Sequence, residues 1–226
     1  MTSRILAAAL VGGALIAAGP AAATIFCGGN GVVKLSFTPG PDLQAVKDAP
    51  PDSNGVVRVD VWAVLDEVAQ VEGPGGVFLA LGGFELTLLV EGADEVTLAK
   101  TVDIPHRDFG SGPAQCRVGT VPGELIKDGR LVLCHWTVTL AGPASNVRFA
   151  LDPAGVPTCA DLEGCGDAGI YAGYVGTTDA SQENYFFGAG YAPAVLNPTV
   201  EPDLAAAPCK IGYANVGIYR ARAPRE

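Results

Sequence analysis

Along most of this chain, apolar and polar residues alternate with a period of two. Val33, Leu35 and Phe37 alternate with Lys34 and Ser36, and Val57, Val59, Val61, Ala63 and Leu65 alternate with residues that include Arg58 and Asp60. Phe84, Leu86, Leu88 and Val90 alternate with Glu85 and Thr87, while Val132, Cys134, Trp136, Val138 and Leu140 alternate with His135, Thr137 and Thr139. Val147, Phe149 and Leu151 continue the pattern around Arg148. Successive side chains of a strand point to opposite faces, so each run offers one apolar face to a core and one polar face to water. Between the runs lie Pro39-Gly40-Pro41, Pro50-Pro51-Asp52, Gly73-Pro74-Gly75-Gly76, Gly110-Ser111-Gly112-Pro113 and Gly142-Pro143. These segments supply turns and stop helices. No segment of helical length carries a clean 3.6-residue period without Gly or Pro nearby. The pattern predicts an all-β antiparallel sandwich over residues 24–152, with Val59, Val61, Leu86, Leu88, Trp136, Val138 and Phe149 in one core.

After Asp152 the texture changes. Residues 153–210 are rich in Gly, Ala and Pro, with short aromatic runs at 170–175 and 185–187, and the stretch from Ile211 to Tyr219 is strand-like again; residues 153–226 together follow the sandwich. This part is expected to be a loop-rich extension packed on the same domain. The first 23 residues differ again. Arg4 precedes an unbroken apolar and small run from Ile5 to Ala18, Pro20 breaks any helix, and Ala21-Ala22-Ala23 fits the small-x-small pattern of signal peptidase. Residues 1–23 are therefore read as a signal peptide, with the mature chain starting at Thr24. The apolar run is too short to remain as a span of a ~30 Å bilayer. A lipid anchor at Cys27 is disfavoured because Phe26 stands where a lipobox needs a small residue. The expected location is extracellular or periplasmic, without a membrane anchor.

Removing 23 of 226 residues leaves 203 and takes the formal charge from −10 to −11. An acidic surface argues against nucleic acid as a partner, because phosphate binding needs clustered Lys and Arg. The acidity also has a simpler use, in keeping an exported protein soluble. Six cysteines in an oxidising compartment imply three disulfides. Cys116 and Cys134 are equidistant from Leu125 in a turn-rich segment, as cross-strand partners of a hairpin would be, and are expected to pair. Cys159 and Cys165 bracket five residues and suit a local clasp, which leaves Cys27 with Cys209, tying the two ends together. No C-x-x-C pair favours zinc.

The Val-rich strand from Val57 to Leu65, followed by Leu81-Gly82-Gly83-Phe84-Glu85-Leu86-Thr87-Leu88, resembles the early strands of cohesin-like modules. In that family a Val-rich strand leads to a small–Gly–Phe–x–Leu–x–Leu strand. The resemblance covers residues 32–151 and implies an Ig-like or jelly-roll sandwich in an extracellular protein. Members that bind dockerins do so through a surface that does not map onto this chain residue by residue. The three expected disulfides and the aromatic C-terminal stretch depart from the family pattern.

Candidate chemistry is sparse. Of two histidines, His106 sits in a polar loop near Asp103, Asp108 and Ser111, with no G-x-S-x-G elbow, and is read as a solvated loop residue. His135 falls on the outward phase of its strand and is read as a surface cross-strand contact. H-E-x-x-H, Walker and dinucleotide motifs are absent. A glycosidase needs only two carboxylates, and nothing among the 24 acidic residues selects a pair. Asp161, Glu163 and Asp167 crowd the Cys159–Cys165 loop beside Gly164 and Gly166. They form a candidate calcium site without EF-hand spacing, and a solvated acidic loop is the simpler account. Tyr171, Tyr174, Tyr185 and Tyr191 are candidate ligand contacts if exposed, and core side chains if buried. The expectation is a non-enzymatic, exported bacterial β-sandwich acting as a structural or protein-interaction module without a cofactor. Carbohydrate binding through the C-terminal aromatics is the alternative, and a secreted hydrolase comes third.

Overall fold

The computed structural model describes residues 31–68, 77–108, 112–126, 128–152, 184–188, 190–206 and 214–222. In chain order the strands are β1 (Val32–Ser36), β2 (Val46–Lys47), β3 (Val56–Asp66), β4 (Val77–Glu91), β5 (Glu95–Val102), β6 (Arg107–Asp108), β7 (Gln115–Leu125), β8 (Leu131–Ala141), β9 (Val147–Leu151), β10 (Asn184–Gly188), β11 (Gly190–Ala192), β12 (Ala194–Leu196) and β13 (Ala214–Arg222). Among the described residues no helix is long and apolar enough to cross a membrane.

Two sheets form an all-β sandwich. One runs in the order β11-β1-β3-β8-β5, antiparallel except where β11 joins β1. The other runs β10-β13-β4-β9-β12-β2, with β7 on the flank of β4 and β6 on β7. Strand β4 is 15 residues long, so it serves several neighbours. It pairs with β13 over 77–86, with β7 over 80–87, and with β9 from Leu88 to Glu91. The alternating phase does what the sequence pattern implies: Val59, Val61, Leu86, Leu88, Trp136, Val138 and Phe149 are all buried in one core. Phe37 and Phe149 meet edge to face at 5.8 Å, an arrangement that suits the ring quadrupoles.

The hairpin expected around Leu125 does not form. Strand β7 pairs with β4 and β6 in the larger sheet, whereas β8 pairs with β3 and β5 in the other. The chain therefore passes from one sheet to the other between β7 and β8. Asp128 and Gly129 both have positive φ, 52° and 74°, and the Gly129 carbonyl accepts the Val68 N–H at 3.0 Å. A Cβ at Gly129 would lie 2.7 Å from the Val68 carbonyl oxygen, so this crossing needs glycine on two counts. A symmetric spacing of two cysteines about a turn fits a sheet crossing as well as a hairpin. Both cysteines are buried.

Beyond residue 152 the described strands enter both sheets. β11 extends the five-stranded sheet, and β10, β12 and β13 belong to the larger one. Asn197, at φ 50°, fastens two loops through its side-chain amide: Nδ2 donates to the carbonyls of Ala49 and Ala144, and Oδ1 accepts the Ala49 N–H.

Candidate functional site

The outer face of the five-stranded sheet is the surface on which the sequence breaks its own pattern. Arg58, Asp60 and Trp62 take the outward phase of β3, and Trp62 is a large aromatic where alternation calls for a polar residue. It stands opposite His135 on β8, which stands opposite Thr101 on β5. The next rows are Asp60–Thr137–Ala99 and Arg58–Thr139–Thr97. Apart from Arg58 and Asp60 at their β3 end, these two rows carry small side chains. The Trp62 and His135 rings stack with centroids 4.1 Å apart and planes inclined by 32°. His135 Nδ1–H donates to the Asp103 carboxylate at 2.9 Å. That bond orients the imidazole and leaves Nε2 as its other polar atom. Thr137 donates to Asp60 at 2.7 Å, holding that carboxylate against the sheet.

At the end of this face, where β3 and β5 finish and β8 begins, lies a cleft of about 630 Å³ lined by Asp66, Asp103, Ile104, Arg130 and the Pro39-Gly40-Pro41 loop, among others. Its wall carries a charge cluster built from the end of β3, the start of β8 and the middle of β1. Asp66 is 8% exposed and accepts from Arg130 through both oxygens, Nε at 3.1 Å and Nη2 at 2.9 Å. Lys34 Nζ donates to Asp66 at 2.9 Å and to Glu67 at 2.6 Å. Arg130 Nη1 also donates to the Pro41 carbonyl at 2.7 Å, which ties the 37–44 loop to this cluster. Burial pushes the Asp66 carboxyl up, but the hydrogen bonds from Arg130 and Lys34 together outweigh it and hold the group at about 2. The same contacts raise Lys34, chiefly through Glu67, and raise Arg130 through Asp66. Asp66, Lys34 and Arg130 are therefore all charged at neutral pH.

A second buried carboxylate lies on the other sheet. Glu85, 1% exposed, pairs with Arg117 at 2.5 Å from the opposing position on β7. Alternation places Glu85 on a solvated face, so its burial is visible only in the structure.

His106 is exposed and donates from Nδ1 to the Ile104 carbonyl at 2.7 Å, within its own loop. Ser111 falls outside the described residues. Tyr191 lies on β11 opposite Val33 and packs, half-buried, against the core. Tyr185 lies on β10 opposite Ile218 of β13. Cys27, Cys159, Cys165, Cys209, Asp161, Glu163, Asp167, Tyr171 and Tyr174 fall outside the described residues, as does the 1–23 leader. Among the described residues no group of three or more His, Cys, Asp or Glu side chains is placed to hold a metal. Trp62 and the Asp66–Arg130 pair are not singled out by the sequence, and Asp103 enters there only as a neighbour of His106. An indole on the polar phase of a strand was the one signal that pointed to this face.

No protein-family model matches the chain, and no curated protein matches it. Among solved structures, the solution structure of CaCohA2 from Clostridium acetobutylicum is similar at 16% identity, covering 55% of this chain and 77% of that one, with a TM-score of 0.25. At that TM-score the fold assignment rests on the two sheets themselves.

Proposed function

We propose that this chain is an exported bacterial β-sandwich that works without catalysis as a protein-interaction module. Its contact surface is the outer face of the five-stranded sheet around Trp62 and His135. The observation that carries the reading is the Trp62–His135 stack, oriented by Asp103 and set on a sheet face of mostly small side chains. Tryptophan supplies a large contact area with few rotatable bonds, and such residues dominate binding energy at protein interfaces. Holding the imidazole with a carboxylate before binding lowers the ordering cost of association. The acidic chain, −10 overall, suits a neutral or basic protein partner.

Affinity enrichment from the source's exported proteins, run in parallel with a glycan array, tests this. Wild type is expected to retain a defined protein that Trp62→Ala loses, with the melting temperature of the variant unchanged. Binding that is confined to glycans, or that is indifferent to Trp62, contradicts the proposal.

A further inference from the structure

Cys134 takes the inward phase of β8, opposite Ala63 of β3 and Val102 of β5. Cys116 comes from the other sheet, on β7 opposite Leu86 of β4. Each is 0% exposed. Both side chains belong to one buried core, Cys134 entering it from the five-stranded sheet and Cys116 from the larger one, so the two cysteines lie on either side of the sandwich interior. Close by, Lys100 on the inward phase of β5 reaches across to the backbone carbonyl of Gln115, the neighbour of Cys116, at 2.7 Å. The two sheets are thus drawn together beside the two cysteines.

We propose that Cys116 and Cys134 form an inter-sheet disulfide that fastens one layer of the sandwich to the other. The bond is made while the core is still open to a disulfide-bearing oxidant. This rests on the proposed export, since an oxidising compartment is what supplies such an oxidant. One cysteine loses its proton and its thiolate attacks the oxidant's disulfide, giving a mixed disulfide and releasing one oxidant thiol. The second cysteine, also deprotonated, displaces the remaining oxidant sulfur. One S–S bond forms in the protein and one is broken in the oxidant, which leaves as two thiols carrying the two electrons and two protons. The timing follows from burial. In the closed core the Cys134 thiol is pushed well above its ordinary range, first by burial and then by its contact with Cys116. The attacking thiolate is therefore disfavoured once the sheets have packed. The same burial shields the finished bond from reductants, which makes it a structural fastening rather than a redox sensor.

The test supplies its own oxidant, so its outcome does not depend on where the chain resides. Reduced, denatured full-length chain is refolded with oxidised glutathione, alkylated in denaturant without reductant, and digested with trypsin. Peptides 108–117 and 131–148 then each carry one of the two cysteines. The expected product is these two peptides joined, two hydrogens lighter than their sum. Intact folded protein should resist dithiothreitol and yield to it only in denaturant. Reduction should lower the melting temperature by ~6–12 °C more in wild type than in a Cys116→Ala, Cys134→Val double variant. Alkylation of both cysteines in the refolded protein, or linkage of either to another cysteine, overturns the proposal. If the bond forms in vitro and the chain isolated from its source carries both thiols free, the export reading fails while the site's chemistry stands.

Discussion

Asp66 is the most informative side chain to perturb, because its stabilising contacts can be switched off by pH alone. Its carboxyl sits at about 2 against an ordinary value of 3.8. A folded value below the unfolded one means the contribution is fully present above about pH 4 and is lost as pH falls through 2. The gap corresponds to ~2.4 kcal/mol, since one pH unit is worth ~1.4 kcal/mol. Solvent reduces this, because the Lys34 and Arg130 side chains are 30% and 31% exposed, and ~1–2 kcal/mol is the expected contribution. Urea unfolding of wild type and Asp66→Asn at intervals from pH 7 to pH 2 measures it. Asparagine keeps the shape of the side chain and cannot titrate. Wild type should lose ~1–2 kcal/mol more than Asp66→Asn between pH 5 and pH 2, with the two curves converging at the acid end. Curves that stay parallel across the range refute the assignment of these contacts to a charged Asp66.

Other predictions follow from burial and backbone geometry. Leu88→Ala, at a position 4% exposed, should cost ~2–5 kcal/mol in urea unfolding. Trp136 is fully buried and its indole N–H has no hydrogen-bond partner. Trp136→Phe removes that unpaired donor and should change stability by no more than ~1 kcal/mol, against ~3–5 kcal/mol for Trp136→Ala. Glu85→Ala leaves the half-buried Arg117 without its carboxylate and empties a buried site, and should cost ~1–3 kcal/mol, part of it recovered in the Glu85→Ala, Arg117→Met double variant. Gly129→Ala combines an unfavourable φ with the Val68 contact and should cost ~2–4 kcal/mol, read as a lower urea midpoint at unchanged slope.

The strands of the sandwich were legible wherever alternation was clean, because a half-buried strand must segregate its two faces. Val57 to Leu65 and Val132 to Leu140 are the clearest cases, and their inward residues are buried as the pattern implies. Pairing partners were less legible. The path from β7 to β8 runs through Asp128-Gly129, a dipeptide that favours tight hairpins, yet here it hands the chain to the opposite sheet. Which sheet receives β8 depends on contacts with Val61, Ala63 and Leu98, which lie far away in sequence. The short strands β11 and β12 are three residues each, too brief for a period of two to stand out among Gly and Ala. The site was hidden for a related reason. Asp66 and Arg130 are ordinary charged residues at strand ends and Lys34 one in the middle of β1, and only the fold gathers them. Trp62 was different, since a large aromatic on a polar phase is a local anomaly that needs no tertiary information to notice.

The outer face of the five-stranded sheet as a protein contact surface is tested most directly by hydroxyl-radical footprinting of the full chain, alone and bound to a protein retained in the affinity enrichment. In the free protein, oxidation should appear at the half-buried Trp62 and at His135, whose side chain is 17% exposed. In the complex, oxidation at both should fall while Arg148 and Glu91, on β9 and β4 of the other sheet, react as before. Unchanged oxidation of Trp62 and His135 on binding, with protection confined to the larger sheet, would contradict the account.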